Sequence, residues 1–347
     1  MKNLKLVVVI FSVILLSLMA VYFIKQPSYT IKTDGTLYVV NKLSRSITIF
    51  DLFEGKQLKE LSIEIEPHEA TALTKPNRVI VTNYGTPDVE GKSITVIDAD
   101  NNTIVKTIEL GGSLRPHGII ALPEPHKVGI VSDIGNDLSV VNVATGVVEK
   151  QISTQQDFSH LLVHHPAKPL IYVTNINSGS VSVMDVELNK VVKIIHCSER
   201  AEGIDITPNG SEIWVTNIKD NFISVINTET YKTTDSLGTG NQPLRLKFSN
   251  DGKYCLISNS GDGTISVYNS KTKKQITRIV IPGKKNIFEK VLYRTPRPVG
   301  ILMHPNGLYA FVSNLTAGRV EVIDMRNFNI VSSIKVGEMP DGLALIN

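Results

Sequence analysis

Short apolar segments of similar composition recur along the chain, and each ends in asparagine or aspartate. They are TLYVVN, RVIVTN, VGIVSD, LIYVTN, EIWVTN, YCLISN and YAFVSN, and their last residues are Asn41, Asn83, Asp133, Asn175, Asn217, Asn259 and Asn314. The intervals between these last residues are 42, 50, 42, 42, 42 and 55 positions. An interval of this length, made of short strands, predicts one structural unit copied seven times, with insertions in two copies.

Each unit contains four strand-like segments separated by turn-forming residues. In the copy over residues 161–203 the segments are LLVHHP, LIYVTN, SVSVMD and KVVKII, with Pro, Asn, Ser and Gly residues between them. The second segment is apolar at consecutive positions, which is typical of a strand that is buried on both faces. Because four antiparallel strands form one blade, the sequence predicts an all-β, seven-bladed β-propeller.

The end of the chain supplies one extra strand. Segments such as HGIIAL and EGIDIT precede the second strand of their unit, whereas DGLALI at residues 341–346 has no second strand after it. We expect this C-terminal strand to pair with the first blade. Such pairing closes the ring and covers the inner edge of the first blade.

A second series of polar residues ends the third segment of each unit. Its members are Asp51, Asp98, Asn142, Asp185, Asn227, Asn269 and Asp324. Side chains of these types accept hydrogen bonds from backbone N–H groups in the turn that follows. We therefore predict a structural role for this series and for the Asn/Asp series at the ends of the second segments.

The N-terminus carries an uninterrupted apolar run, LVVVIFSVILLSLMAVYFI, at residues 6–24. Its length is near that of a membrane-spanning helix, and Lys2 and Lys5 before it favour a cytoplasmic N-terminus. A cleaved signal peptide is the alternative, although the residues before Ala20 fit a cleavage site poorly. We predict residues 1–25 as a transmembrane anchor or signal segment, 26–35 as a linker and 36–347 as the propeller. Both alternatives place the propeller in the cell envelope, in the periplasm or at the outer face of the cytoplasmic membrane.

The charge of the chain narrows the classes of partner. The formal net charge is +3, and Lys2, Lys5 and Lys25 account for all of it because residues 1–25 contain no acid. The remaining residues are neutral overall and have no general attraction for phosphate backbones, which argues against nucleic-acid binding. We expect a monomer that is attached to the membrane through its N-terminal segment.

The sequence YVTN at residues 172–175, followed by SVSVMD, KVVKI and EGIDITPNG, resembles the repeat of the YVTN family of bacterial and archaeal propellers. The resemblance covers nearly all of residues 36–347 and implies a seven-bladed propeller, often in the cell envelope. Relatives of this kind include surface-layer and YncE-like binding proteins, lactonase-like enzymes and the haem d1 domains of nitrite reductase. The resemblance therefore does not select one activity, because function belongs to sites on a fold.

The first strands of the units place ionisable residues at equivalent positions. These strands begin with EPHEA, RPHGI, FSHLL, RAEGI, QPLRL, RPVGI and MPDGL, and their third residues are His68, His117, His160, Glu202, Leu244, Val299 and Asp341. Since the repeat relates these positions and each follows an inter-blade connection, we expect them at one mouth of the central channel. Two residues earlier, on the rim, lie Arg115, Arg200 and Arg297.

The mouth residues have the chemistry of a ligand site. His68, His117 and His160 are candidate ligands for a transition metal, and together with Glu202 and Asp341 they could act as acids and bases. The rim arginines favour a small anionic ligand through bidentate pairing. A polar, water-filled mouth is the alternative interpretation.

Two insertions interrupt the regular interval. Residues 84–92 (YGTPDVEGK) lengthen a turn after a second strand, and residues 283–297 (GKKNIFEKVLYRTPR) lengthen a blade connection. Both are expected on the side of the histidines. Long loops in compact domains are often functional, so the basic second insertion is interpreted as a lid or docking loop, with a solvent loop as the alternative.

Two classes of function follow from these features. The first is a binding or scaffold protein that uses its top face and channel mouth, with an envelope protein or a small anionic ligand as partner. It is favoured over catalysis because the sequence contains no nucleophile elbow, P-loop or dinucleotide fingerprint. The second is a metal- or haem-dependent enzyme, either lactonase- or lyase-like or of the haem d1 type, in which a mouth histidine ligates iron. The cofactor, a transition metal or a haem d1-type group, is left open.

Overall fold

The computed structural model describes residues 10–13, 28–283 and 296–347. Within these ranges, 28 strands form seven antiparallel sheets of four strands each. Each sheet is one blade, so the predicted all-β, seven-bladed architecture is confirmed. Blades are numbered here along the chain.

The strands of the first three blades follow one another in sequence. Blade 1 contains β1 (Thr36–Asn41), β2 (Ser46–Asp51) and β3 (Lys56–Ser62). Blade 2 contains β4 (Pro67–Thr74), β5 (Asn77–Gly85), β6 (Glu90–Asp98) and β7 (Thr103–Glu109). Blade 3 contains β8 (Pro116–Ala121), β9 (Lys127–Ser132), β10 (Asp137–Asn142) and β11 (Val147–Ser153).

Blades 4 to 7 repeat the same arrangement. Blade 4 contains β12 (Ser159–His164), β13 (Leu170–Asn175), β14 (Ser180–Asp185) and β15 (Lys190–His196). Blade 5 contains β16 (Ala201–Ile206), β17 (Glu212–Asn217), β18 (Phe222–Asn227) and β19 (Thr233–Gly238). Blade 6 contains β20 (Pro243–Phe248), β21 (Tyr254–Asn259), β22 (Thr264–Asn269) and β23 (Gln275–Val280). Blade 7 contains β24 (Pro298–Met303), β25 (Tyr309–Asn314), β26 (Arg319–Asp324) and β27 (Asn329–Lys335).

The chain end completes blade 1. The last strand, β28 (Pro340–Ile346), pairs antiparallel with β1, with Leu37 opposite Leu345 and Val39 opposite Leu343. It is the innermost strand of that blade and contacts the innermost strands of both neighbours, β4 and β24. The predicted closure of the ring by the C-terminal strand is therefore confirmed.

Apolar side chains fill the space between adjacent blades. Ile80 and Ile94 of blade 2, for example, pack in one buried cluster with Ile130 and Val141 of blade 3. Every second strand lies between two other blades and buries both faces, which is why it lacks a polar alternation. Full burial of each aliphatic side chain of this size contributes about 1.5–3 kcal/mol.

One backbone hydrogen bond occurs in all seven blades and sets the height of the inner strands. The residue immediately before each inner strand accepts, through its carbonyl oxygen, the N–H of the residue just after the second strand or, in blade 2, of Tyr84 near the end of β5. The N···O distances are 2.9–3.2 Å for Lys42–Met339, Tyr84–Glu66, Asp133–Arg115, Ile176–Phe158, Ile218–Arg200, Ser260–Gln242 and Leu315–Arg297. Each inner strand therefore starts at the same level of the channel, and the second residues of the seven strands lie at that level.

The polar series at the strand ends have the predicted structural roles, with one exception. Asn217 and Asn259 donate their side-chain N–H to Ser224 and Ser266 at 3.1 and 2.9 Å, which ties the second strand to the third. In the other series, Asp51 Oδ1 accepts the backbone N–H groups of the next turn at 2.9 Å. The exception is Asp133: in blade 3 it is Ser132, one residue earlier, that pairs with the first residue of the third strand.

The chain before the first strand contacts the blades on either side of the closure. Thr30 hydrogen-bonds Ser332 and Val331 of blade 7, at 2.7 and 2.8 Å, while Tyr29 donates its hydroxyl to the Leu52 carbonyl after β2 at 2.6 Å. The anchor predicted at residues 6–24 lies outside the described residues except for residues 10–13, which are helical. Within the described ranges, no helix has the length and apolar character to span a bilayer.

Candidate functional site

Three histidines from consecutive blades stack at one mouth of the channel. His68, His117 and His160 occupy the second position of β4, β8 and β12. The ring centroids of His68 and His117 are 4.0 Å apart, and those of His117 and His160 are 3.6 Å apart with an interplanar angle of 30°. His117, between the other two, is only 1% exposed. The repeat therefore brings these three predicted site residues into direct contact.

His160 lies between two carboxylates. Its Nδ1 donates to Asp133 Oδ1 at 3.0 Å, and its Nε2 lies 3.7 Å from Glu202 Oε1. Burial alone would disfavour the charged ring, but Asp133 and Glu202 outweigh it and raise the pKa of His160 to about 9. At neutral pH His160 is therefore an imidazolium, and both of its ring nitrogens are occupied.

His117 has the opposite character. Its Nδ1 donates to the backbone carbonyl of His160 at 3.2 Å, and its Nε2 is buried without a hydrogen-bond partner in the described residues. Burial and the neighbouring His160 hold the pKa of His117 well below its usual value, so the ring is neutral. Because the proton resides on Nδ1, the buried Nε2 carries a free lone pair.

His68 contacts both a lysine and a carboxylate. Lys42 Nζ donates to His68 Nε2, while His68 Nδ1 lies 3.3 Å from Asp341 Oδ2. Lys42 Nζ also lies 3.5 Å from the same Asp341 oxygen. Burial, followed by the Lys42 charge, lowers the pKa of His68 well below its usual value. The predicted site residues His68 and Asp341 thus meet, together with Lys42, which sequence analysis did not select.

Arg245 crosses the mouth from blade 6. Its Nη1 donates to Glu202 Oε1 at 2.8 Å and its Nη2 donates to Glu69 Oε1 at 3.0 Å. Burial raises the pKa of Glu69, although Arg245 opposes the shift. Glu202 is also buried, but the His160 and Arg245 cations lower its pKa. Carboxylates from blades 2 and 5 therefore share one buried guanidinium.

The first insertion reaches the same cluster, as predicted. Tyr84 donates its hydroxyl to Asp133 at 2.8 Å, and its ring centroid lies 4.9 Å from that of His68. Arg115 lies over the Tyr84 ring at 5.2 Å and donates to the Thr86 carbonyl at 2.9 Å. Arg115 therefore belongs to the wall of the mouth, where the Tyr84 ring separates it from His68.

The other two rim arginines are exposed to solvent and are not part of the buried cluster. The side chains of Arg200 and Arg297 are exposed, and Arg297 Nε donates to Ser260 at 3.3 Å. Within the described ranges, neither lies within ion-pairing distance of Glu202 or Asp341. Most of the second insertion, residues 284–295, lies outside the described residues.

Two site residues that sequence analysis missed, Glu69 and Arg245, share one repeat position. The equivalent position is glycine in four blades: Gly118, Gly203, Gly300 and Gly342. A Cβ at Gly203 or Gly300 would lie 2.3 Å from a carbonyl oxygen of the next inner strand, so close strand packing favours glycine there. The departure from glycine to a charged residue in two blades was a usable signal for the site.

Asp133 was missed for a different reason. The sequence places it in the Asn/Asp series at the second-strand ends, but in the structure Ser132 has that place, since it pairs with Asp137 as Asn175 pairs with Ser180. Asp133 lies one residue further along, at the repeat position of Tyr84. It bonds His160 and Tyr84 instead of the third strand of its own blade. Its assignment to the asparagine series, one residue out of register, hid its contribution to the mouth.

The cluster has the donor groups of a metal site. Two groups of three side chains place one possible ligand atom each within 4.8 Å of one another: His68, Glu69 and His117, and His117, Asp133 and His160. A haem macrocycle fits poorly, because the His117 ring is enclosed by His68 and His160 and is only 1% exposed.

Comparisons with known proteins identify the fold class. No family model matches the chain, and no curated protein matches it. Among solved structures, the chain is similar to hydrazine synthase from Kuenenia stuttgartiensis, with a TM-score of 0.71 and 17% identity over 85% of this chain and 97% of that chain. It is also similar to a functionally unknown protein from Desulfotomaculum acetoxidans DSM 771, with a TM-score of 0.73 and 15% identity over 91% of this chain and 99% of that chain. At these identities the likeness shows the seven-bladed β-propeller fold alone, which is compatible with a binding or scaffold role.

Proposed function

We propose that the protein is a membrane-anchored, extracytoplasmic binding propeller of the YVTN, YncE-like type, and that its channel mouth is the ligand site. The repeat sequence at residues 172–175 supports the family, and the apolar run at residues 6–24 supports the anchor. The same run, behind Lys2 and Lys5, supports a position of the propeller outside the cytoplasmic membrane.

One observation carries the binding role: ionisable side chains from six blades, all buried except the half-buried Glu69, converge at one end of the channel. They are Asp341, Glu69, His68, His117, Asp133, His160, Glu202 and Arg245. Taking charges out of water costs several kcal/mol per ion unless they are well paired, and apolar packing would stabilise a propeller channel more simply. Such clusters with displaced pKa values are typical of functional sites.

The rim supports a small anionic ligand. The exposed guanidinium groups of Arg200 and Arg297 precede the inner strands β16 and β24, and Arg115 borders the mouth beside the first insertion. A carboxylate or phosphate above the mouth would find bidentate donors there. An envelope protein that presents an acidic side chain would use the same donors.

The location is tested with the full-length chain. Fusions of its C-terminus to alkaline phosphatase and, separately, to green fluorescent protein should give an active phosphatase and a dark fluorophore, both in the membrane fraction. A fluorescent fusion with an inactive phosphatase would place the propeller in the cytoplasm and refute the proposed location.

The ligand site is tested by binding of citrate and inorganic phosphate as probes to the detergent-solubilised protein. We expect the double variant Arg200→Ala, Arg297→Ala to lose this binding, while a control with Lys190→Ala and Lys193→Ala on the outer strand β15 retains it. Equal binding by both variants would refute the rim as an anion site. Turnover of lactone or ester substrates that depends on His117 would instead support the enzyme alternative.

A further inference from the structure

His117 has the features of a metal ligand whose orientation is fixed in advance. Its Nδ1 donates to the His160 carbonyl at 3.2 Å, and its Nε2 has no hydrogen-bond partner among the described residues. Histidines that bind metals usually donate their other ring N–H to a carbonyl or carboxylate in this way. An unpaired polar atom on a side chain only 1% exposed would otherwise cost about 1–3 kcal/mol.

Two further donor side chains lie near the His117 ring. One ligand atom each from His68, Glu69 and His117 fall within 4.8 Å of one another. In a tetrahedral site with metal–ligand bonds near 2.0–2.1 Å, the ligand atoms lie about 3.3 Å apart. Side-chain rotations that move the ligand atoms by roughly one ångström would therefore bring all three to bonding distance of a single ion.

The donor set indicates the class of ion. Two imidazoles and one carboxylate suit zinc, copper, iron(II) or manganese, whereas calcium and magnesium prefer oxygen ligands alone. His160 is a poorer ligand than Glu69, because both of its ring nitrogens face the carboxylates of Asp133 and Glu202. The cationic His160 and Arg245 instead balance the carboxylates that surround the mouth.

We propose that His68, Glu69 and His117 bind one divalent transition-metal ion, and that Lys42 is displaced from His68 when the ion binds. This inference rests on the proposed binding function and names a ligand for the same mouth. Lys42 donates to His68 Nε2 and retains a side chain that is 21% exposed. Its ammonium group thus holds the lone pair in the ion-free state and can move into solvent.

The position of Lys42 gives the proposal a distinctive prediction. Removal of the Lys42 charge should strengthen metal binding for two reasons. The ammonium group no longer competes with the ion for the His68 lone pair, and it no longer repels the ion electrostatically. A hydrogen bond with one charged partner contributes about 1.5–3 kcal/mol, so we expect Lys42→Met to tighten binding about tenfold or more. His117→Ala and Glu69→Gln each remove a direct ligand. They should therefore reduce the metal affinity by more than the loss of about 10–100-fold that follows removal of a residue that only contacts a ligand.

The experiment is calorimetric titration of the detergent-solubilised full-length protein, carrying a tag without histidine, with ZnCl₂ and with CoCl₂. Cobalt absorption in the visible range reports ligation by nitrogen and oxygen donors. His196→Ala is the matched control, because this histidine is exposed at the end of β15. Folding of each variant is checked by circular dichroism, and Glu69→Gln replaces His117→Ala if the alanine variant does not fold.

The expected result is one ion per chain in the wild type and in His196→Ala, weaker binding in His117→Ala and Glu69→Gln, and tighter binding in Lys42→Met. The proposal is overturned if the wild type binds no ion at a 1:1 ratio, if His196→Ala loses binding as His117→Ala does, or if Lys42→Met is unchanged. None of these outcomes alters the reporter-fusion and anion measurements, so a failure here is distinct from a failure of the proposed function.

Discussion

Arg245 of blade 6 donates a hydrogen bond of 3.0 Å to Glu69 of blade 2, a residue 176 positions away in the sequence. Its other terminal nitrogen bonds Glu202, which in turn faces His160 and, through it, Asp133. Positive and negative groups therefore alternate through five blades at one end of the channel. Because this network joins blades that are not neighbours, it ties the ring together from inside.

We expect Arg245→Met to lower the free energy of unfolding by about 3–5 kcal/mol, since it leaves two buried carboxylates without their cation. Urea denaturation at pH 7 measures the change. Arg278→Met is the control, because Arg278 is 40% exposed and lies 3.9 Å from Asp262, and exposed pairs contribute about 0–1 kcal/mol. Equal losses in the two variants would show that the cross-channel network adds nothing.

Because the pKa of His160 is raised, the free energy of unfolding should depend on pH in the alkaline range. Its folded-state pKa of about 9 lies above the unfolded value, near 6.5. The stabilisation is therefore complete below the unfolded pKa and is lost as pH rises through about 9, with a full amplitude of roughly 3 kcal/mol. The groups that face the ring are Asp133, Glu202 and His117.

His160→Gln should remove most of this pH dependence. Urea denaturation at pH 7 and at pH 10 should show a larger loss of stability for the wild type than for His160→Gln, with His196→Gln behaving as the wild type. If all three proteins lose the same stability over that interval, His160 is not charged in the folded state.

His68 and His117 should produce the opposite dependence at acidic pH. Their pKa values are lowered in the folded state, so the unfolded chain binds more protons as pH falls below about 6.5. Stability should therefore decrease between pH 7 and pH 5, and less so in the double variant His68→Gln, His117→Gln. An identical acid sensitivity of wild type and double variant would contradict the neutral state of the two rings.

Asp133→Asn tests the origin of the His160 charge. Asparagine has nearly the size and shape of aspartate, so we expect the fold to be retained. The amide can still accept the His160 N–H but carries no charge, and the pKa of His160 should fall from about 9 towards its ordinary value. Carbon-13 NMR of labelled histidines follows the titration. Asp185→Asn, the same change at a turn, should leave it unchanged.

The repeat was sufficient to predict the blades, the closure and the meeting of His68, His117, His160, Glu202 and Asp341, because equivalent positions of a closed ring share one level of the channel. It could not predict which nitrogen each imidazole exposes. That depends on contacts of individual side chains, such as the His160 carbonyl against His117.

The residues that were missed are those that depart from the repeat. Glu69 and Arg245 stand where close packing usually requires glycine, and Lys42 reaches His68 from the residue after β1. Lys42 shares its repeat position with Tyr84 and Asp133, and all three side chains reach the mouth. Charged residues that replace the common residue of a repeat position are therefore the better sequence signal.

Deletion of residues 340–347 tests the closure of the ring. The deletion removes β28 and exposes the paired edge of β1, from Thr36 to Asn41, on a strand whose apolar side chains are otherwise buried. Such an edge is a template for association with other chains, and loss of Asp341 also removes the carboxylate beside His68.

We expect the truncated chain to aggregate in size-exclusion chromatography, whereas removal of Asn347 alone, which is exposed, should leave the protein monodisperse. A truncated chain that stays soluble and unfolds cooperatively would mean that the remaining six complete blades close without β28.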